Sequence, residues 1–571
     1  MPAGSDKDFK FVVIDDFSPG IYDDWYAASG AQPAPPGAAQ LTGTYGCVSS
    51  VGGGLIPAPR RVNRIQEAAQ SSTAAGDPYT HIMAFRSLSP VYDRTGVSAG
   101  VMGIPRAYPD ELFFAYEYYT NDGKHSSIIR AYKVHMLTSA DPSIGGVTTY
   151  TIQSKQTAAG KSPYLFGYSS IEISRSNPAD STSPGYPTAF CSFTSNRDYS
   201  GTNGQVAYPK NSTPTVDSTE AVAGLNVSGG SNCYALFAHQ DRIMCFQTSV
   251  NFNFGTNSEV PFDGIIGSAP NDYNTNGFSV TTFVNENPGL FGSWYSVNAS
   301  EAFFVKQQHG GYDVRGDVAN PTVVRLPGVE PTGDAINIGT LDPNGNYIYG
   351  TRTGVYAWNS GNTSTSISQQ IDGWFWKPGT GITGVDNYLH TKGQFSRMGK
   401  FIFAPNNFVY DSSKGSWWKL TNPDGTEPTY GFWDTSAAGY VIGAPVYLSA
   451  SQTVIADYYD IQQGQSTYKW TSQPLRVTQG RMVEFRECDL VAQGTGTITI
   501  TVTGITGETD TYTFNIASDD RPVTLNQMGS CQTHDAYFSI TSTATDSNDP
   551  APRVYRVAWG IEELMTARAA Q

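Results

Sequence analysis

Between residues 401 and 420 the chain reads FIFAPNNFVYDSSKGSWWKL, with apolar residues on both alternating sets of positions and the polar ones gathered in two clusters. Phe401 to Ala404, Phe408 to Tyr410 and the run opened by Trp417-Trp418 are short strands. Pro405-Asn406-Asn407 and Ser412-Ser413-Lys414-Gly415 reverse the chain between them. A strand with one wet face alternates apolar and polar residues; these do not, so both faces of the meander are covered. So small a meander is not stable alone, and other sheets must flank it. The same form returns in YIYGTRTGVYAWNSG (347–361) and CYALFAHQDRIMCFQT (233–248), and more loosely from Thr80, Leu112, Thr188, Ala302 and Tyr440. Starts near 303, 347, 401 and 440 lie 44, 54 and 39 residues apart, the spacing of four-stranded propeller blades. The pattern predicts an all-β chain whose residues 41–465 form a multi-bladed β-propeller of six to eight blades. A large sandwich, or several, is the alternative.

Beyond Tyr468 the texture changes. GTGTITITVTG (494–504) alternates strictly, with Ile498, Ile500 and Val502 on one face and threonines on the other, as expected for a strand with one wet side. With TYTFNI, RPVTL, AYFSITST and VYRVAWGIEEL it predicts a C-terminal antiparallel β-sandwich over 466–571. At the other end, DFKFVVIDDFSPGIYDDWY (8–26) gives a strand, a turn and an aromatic segment. SGAQPAPPGAAQ, ending at Gln40, is too rich in Pro, Gly and Ala to pack as an element. Residues 1–40 therefore read as an N-terminal strand and Pro-rich arm.

Composition agrees with many short strands. The 571 residues exceed what one core usually serves, and 59 Gly, 34 Pro, 34 Tyr and 28 Phe favour strands and turns over helices. Thirty-five basic against 50 acidic residues leave a formal charge of −15, which argues against a grip on nucleic acid. The start lacks a signal-peptide pattern, and no apolar run reaches the roughly 18 residues of a membrane span; the expectation is a protein made in a reducing cytosol, with no membrane insertion. Six cysteines without C-x-x-C spacing signal neither zinc nor redox chemistry and read as buried thiols; Cys233 and Cys245 could meet across one hairpin, without a disulfide being expected.

Candidate chemistry is sparse. Seven histidines show no metal spacing and read as turn or surface residues, and the phosphate-loop motif is missing. DYNTNG (272–277) opens like a calcium loop, but its twelfth position is Phe283 instead of an acid. The doublets Asp15-Asp16, Asp23-Asp24, Asp519-Asp520 and Glu562-Glu563 place neighbours on opposite strand faces and read as solvated surface. DSSKGSWW (411–418) is similar to the Asp-box turn of sialidase propellers with Asp411 and Ser413 interchanged. No catalytic, cofactor-binding or metal residue is assigned, and no cofactor is expected.

Three places carry a family resemblance. VIDDFSPGIYDD (13–24) resembles the start of phage virion propeller proteins, and RLPGVEPTG (325–333) resembles their body. YKWTSQP (468–474), RPVTL (521–525), AYFSITSTA and VYRVAWGIEEL (554–564) resemble, in that order, the closing domain of podovirus tail nozzle proteins. The resemblance implies a non-enzymatic virion protein of the phage tail, made in the host cytoplasm. It would form a homo-oligomer, a hexameric ring, beneath adaptor and portal-side proteins, with tail fibres as further partners. Viral DNA would pass through it without specific binding during genome ejection. The alternative is a propeller glycan hydrolase, using Tyr, Arg and acidic side chains, or a receptor-binding tail protein.

Overall fold

The computed structural model is all-β. It describes residues 10–22 and 34–66, the strands between 79 and 283 together with Gln240, and 291–564 apart from 334–335, 372–391, 421–427, 429, 436–439, 446, 450–453, 477–481 and 534; for most strands before 283 only the backbone is described.

Seven successive small sheets stand among the described residues, here called blades 1–7 in chain order. Blade 1 runs outward from Phe85–Val91, blade 2 from Ser170–Ser176, blade 3 from Asn232–His239 and blade 4 from Phe291–Asn298. The inner strand of blade 5 is Ile336–Ile338 continued by Thr340–Leu341. That of blade 6 is Lys392–Gln394 continued by Ser396–Met398, and that of blade 7 is Tyr430–Thr435. Each first strand lies against those of the blades before and after it, and blade 7 returns to blade 1, so the inner strands form a closed ring. Between blades 4 and 7 they pair directly and in parallel: Ser293 opposite Asn337, Asn337 opposite Gly393, Gln394 opposite Phe432. This is a multi-bladed β-propeller.

Crowding at the axis explains the inner-strand sequences. A Cβ on Gly393 would sit 2.2 Å from the carbonyl oxygen of Gly431 in the next blade, so only glycine allows this approach. Buried polar groups pin blade 4 to blade 5. Ser293 Oγ lies 2.7 Å from the Tyr347 hydroxyl, which donates to the Trp294 carbonyl (2.8 Å), while Asn337 Nδ2 donates to the carbonyl of Gly350 (2.7 Å). The inner strands are thus rich in Gly, Ser and Asn. The regular apolar signal comes instead from the second strands, Glu301–Lys306, Tyr347–Gly350, Phe401–Ala404 and Tyr440–Pro445, which have strand neighbours on both edges and other blades on their faces. Phe303 of blade 4 stacks on Trp358 of blade 5 at 3.9 Å, and Phe403 of blade 6 meets Trp433 of blade 7 at 5.2 Å. In 401–420 the turn after Ala404 places Asn406 and Asn407 at φ of 67° and 63°, a region Asn tolerates better than most residues.

Blade 7 takes its outermost strand from far upstream. Pro59–Gln66 pairs antiparallel with Val454–Gly464, with Arg64 opposite Asp457. The Asp457 carboxylate is fully buried and accepts two bonds from the Arg64 guanidinium, each 2.8 Å, while the Tyr430 hydroxyl donates to its Oδ2. Chain that precedes blade 1 therefore closes the ring.

The C-terminal unit is an antiparallel β-sandwich built on two long strands, Val483–Gly504 and Thr509–Thr533, paired over most of their length. The free edge of Val483–Gly504 is shared. Its first half pairs with Arg553–Glu563, and its second half, from Gly496, pairs with Asp535–Ala544. Gly494 and Gly496, at φ of 126° and 154°, stand where the partner changes. Ile498, Ile500, Val502, Phe485, Phe538 and Trp559 fill the interior. The start of the chain belongs to this unit: Lys10–Ile14 pairs with Arg553–Glu563, and Leu55–Pro57 bridges to Val554. One apolar core then runs from Ile14 and Phe17 through Trp417 and Trp418 of blade 6 to Trp470 and Trp559.

Breaking a buried ion pair by removing one partner costs about 3–5 kcal/mol, because the other charge stays buried alone. Arg64→Ala is expected to lower unfolding free energy by about that amount in urea titrations, whereas truncating the exposed Lys10, which pairs with Glu563 at the sandwich edge, changes it by less than about 1 kcal/mol. Equal effects would contradict the closure role.

Candidate functional site

The channel end reached by the last residues of the inner strands carries the described chemistry. Tyr295, late in the inner strand of blade 4, is half-buried and stacks on Tyr347 of blade 5 at 5.2 Å. Arg397, in the continued inner strand of blade 6, is exposed and donates from Nη1 to the carbonyl of Asp342 in blade 5 at 3.0 Å. Burial pushes the Tyr295 phenol up, and the Arg397 charge partly offsets this.

The carboxylates of the inner strands and their turns differ in how far they are committed. Asp342 is held by its own turn: Oδ1 accepts the amides of Asn344 and Asn346, both at 2.8 Å, and Oδ2 accepts Asn346 Nδ2 at 2.7 Å. Asp434, in the inner strand of blade 7, is partly exposed and takes the Thr435 amide on Oδ1 at 2.9 Å. Glu172 is the third of the seven residues of Ser170–Ser176, the inner strand of blade 2. These two, Glu172 and Asp434, are the acidic residues carried by the seven first strands. Sequence reasoning passed over both, because neither stands in a motif; only knowing which strand is innermost singles them out.

His239 ends the inner strand of blade 3. It is buried, not a turn or surface residue as expected, because the hairpin tucks its ring between blades 3 and 4 with Nδ1 2.8 Å from Ser296 Oγ. Nε2 has no partner, and burial lowers the imidazole pKa. Beside it, Gln240 at φ 51° donates to the Gly316 carbonyl (2.6 Å) and accepts the Val318 amide (3.1 Å), fastening blade 3 to blade 4. His309 sits in a turn; His81, His125 and His135 lie in strands, and His390 and His534 lie outside the described residues.

The other sequence candidates resolve into structure. Asp411 is buried, pairs with Lys400 at 2.5 Å and accepts the Ser413 amide at 3.0 Å, so the Asp-box-like segment is a braced hairpin turn. Asp16 accepts the Ser18 amide, Asp519 the Thr495 hydroxyl, Glu562 faces Arg486 and Glu563 faces Lys10. Asp23-Asp24 and DYNTNG lie outside the described residues. Cys245 stands opposite Leu236 and Cys233 opposite Gln247, so the two cysteines are not cross-strand partners. Cys47, Cys488 and Cys531 are buried free thiols, and burial pushes each pKa up. Among the described residues no group of three acidic, His or Cys side chains could hold a metal ion, and no helix is long and apolar enough to cross a membrane.

No family model matches the chain, and no curated protein matches it in sequence. Among solved structures it is similar to a glycoside hydrolase family 43 arabinoxylan arabinofuranohydrolase from Bacillus subtilis, at 10% identity and TM-score 0.25, covering 88% of this chain and 99% of that one. It is also similar to an exo-β-1,3-galactanase from Phanerochaete chrysosporium, at 10% identity and TM-score 0.21, covering 68% and 100%. The enzymatically active domain of tailspike protein 4 of bacteriophage CBA120 matches at 11% identity and TM-score 0.13, over 22% of this chain and 15% of that one. These likenesses are of fold and carry no residue roles. They correct the expectation drawn from the terminal motifs: the structures found over two thirds or more of the chain are named as glycan-cleaving enzymes or as the WD40 propeller domain of Doa1, and the phage protein, a tailspike, matches over 22% of the chain. The non-enzymatic tail ring, its hexamer with portal-side, adaptor and fibre partners, its passage of DNA and its place in a virion are therefore not retained. The motifs behind them, such as VYRVAWGIEEL, are strands of an ordinary antiparallel sheet, whose alternation any sandwich would share.

Because burial lowers the His239 pKa, the unfolded chain binds its proton more readily. Stability is full above the unfolded pKa near 6.5 and falls as pH drops toward the lower folded value. His239→Gln is expected to flatten the loss in thermal midpoint between pH 7 and 5 relative to the parent chain; an unchanged slope would remove the seam role.

Proposed function

We propose that the protein acts on glycans, with hydrolysis of a glycosidic bond as its reaction and the axial end of the propeller as its site. The observation that carries this reading is that the ring of inner strands carries two acidic residues, Glu172 of blade 2 and Asp434 of blade 7, together with Tyr295 of blade 4 and Arg397 of blade 6.

The chemistry needs little else. One carboxylic acid protonates the leaving oxygen while a carboxylate on the other side either attacks the anomeric carbon or deprotonates a water that does. A half-buried tyrosine offers an apolar ring with a hydroxyl at its edge, and an arginine offers a fork of donors to sugar or carboxylate oxygens. A rigid ring suits this work because strands hold side chains more firmly than loops do. Two blades, rather than one strand, supply the acids, as separate placement of acid and base requires.

Purified full-length protein is expected to release reducing ends from one or more members of a polysaccharide panel. Glu172→Gln and Asp434→Asn should each lower the rate on the order of 10²–10⁴-fold, the usual contribution of an acid or base, with thermal midpoints retained. No release from any polysaccharide, or full activity in both variants, would overturn the assignment.

A further inference from the structure

Charge is distributed against the trend of the molecule. The whole chain carries 35 basic and 50 acidic residues. Its seven inner strands with their continuations carry Arg86, Arg175, Lys392 and Arg397 against Glu172 and Asp434. The sign of the balance is reversed along the inner strands, by residues of blades 1, 2 and 6.

Arg397 is the member whose side chain is described, and it is built in. The bond to the Asp342 carbonyl uses one of the five N–H donors of a guanidinium. That carbonyl belongs to a turn fixed by the three bonds of the Asp342 carboxylate. The head group is thus positioned while the residue stays exposed, and the effect of its charge on Tyr295 places that phenol in the same field.

We infer that the axial site takes an acidic glycan, a chain bearing uronate-type carboxylates, with Arg397 as a specificity-determining residue that binds a carboxylate. The inference rests on the axis being the glycan site proposed above. A guanidinium meets a carboxylate through two parallel bonds, which a neutral hydroxyl pair reproduces less well. Nucleic acid, the other common polyanion, fits poorly. A duplex calls for basic residues clustered along a long track, and a chain of net charge −15 repels it outside the axis. The axis of a single propeller also suits a narrow ligand.

The test uses the full chain with Glu172→Gln, to limit turnover, and measures binding of a fluorescent oligogalacturonate and of a neutral galacto-oligosaccharide of equal length. The expected result is at least tenfold tighter binding of the acidic chain, weakened by salt. Adding Arg397→Gln should weaken it at least tenfold at an unchanged thermal midpoint, and Arg397→Lys should restore part of it. Equal affinity for the neutral chain, no effect of Arg397→Gln, or equal competition by a single-stranded oligonucleotide of the same charge would overturn it. The two readings fail separately. Tight oligogalacturonate binding in a protein that cleaves no polysaccharide upholds this inference and removes the hydrolase, whereas cleavage confined to neutral chains does the reverse.

Discussion

A blade of this propeller is a sheet whose two faces are both apolar, and it is stable only if both are covered. That condition can be met at every blade only when the ring closes, since an open arc would leave two broad faces in water. Closure here depends on chain that comes before the first blade. The strand Pro59–Gln66 adds to blade 7, and the Arg64–Asp457 pair with the Tyr430 hydroxyl fixes its register. An aspartate with no solvent exposure tolerates no slip, because a shift of one residue would turn Arg64 away and break both of its bonds to the carboxylate.

The same constraint ties the two units together. Residues 10–14 and 55–57 lie in the sheet of the C-terminal sandwich, residues 59–66 in blade 7, and Gln465 links the two levels by bonding to Ala58, Pro59 and Leu420. The chain leaves the sandwich, makes the ring and returns. Trp417 and Trp418 of blade 6 share a core with Phe17 and Trp470, so the ring is braced from one side and its axial chemistry sits on a fixed frame.

Much of this was legible in the residues and some was not. Doubly apolar runs such as FIFA and YIYG announced sheets covered on both faces, and the alternation of ITITV announced a strand with one wet face. The blade period was visible one strand out of phase, because second strands are the most apolar, while inner strands such as KGQ and FGSWYS are shortened to small and polar residues by crowding at the axis. The closing strand was hidden. PRRVNRIQ is polar, and its partner lies nearly four hundred residues away, so local pattern could not pair them. The proposed axial site was hidden for the same reason: Glu172, Asp434 and Arg397 come from different blades, whose inner strands are brought into one ring only by closure. The terminal motifs misled, because short alternating strands are common to all antiparallel sandwiches and say little about what a protein does.

The central claim is that the ring's axis, and not the sandwich or the blade rims, is where the molecule meets its ligand. An experimental density map of the full chain soaked with oligogalacturonate tests this most directly. The account predicts a saccharide at the axial end, with a carboxylate on Arg397 and a ring beside Tyr295. Saccharide bound on the C-terminal sandwich or along an outer blade strand, with the axis vacant at saturating ligand, would contradict it.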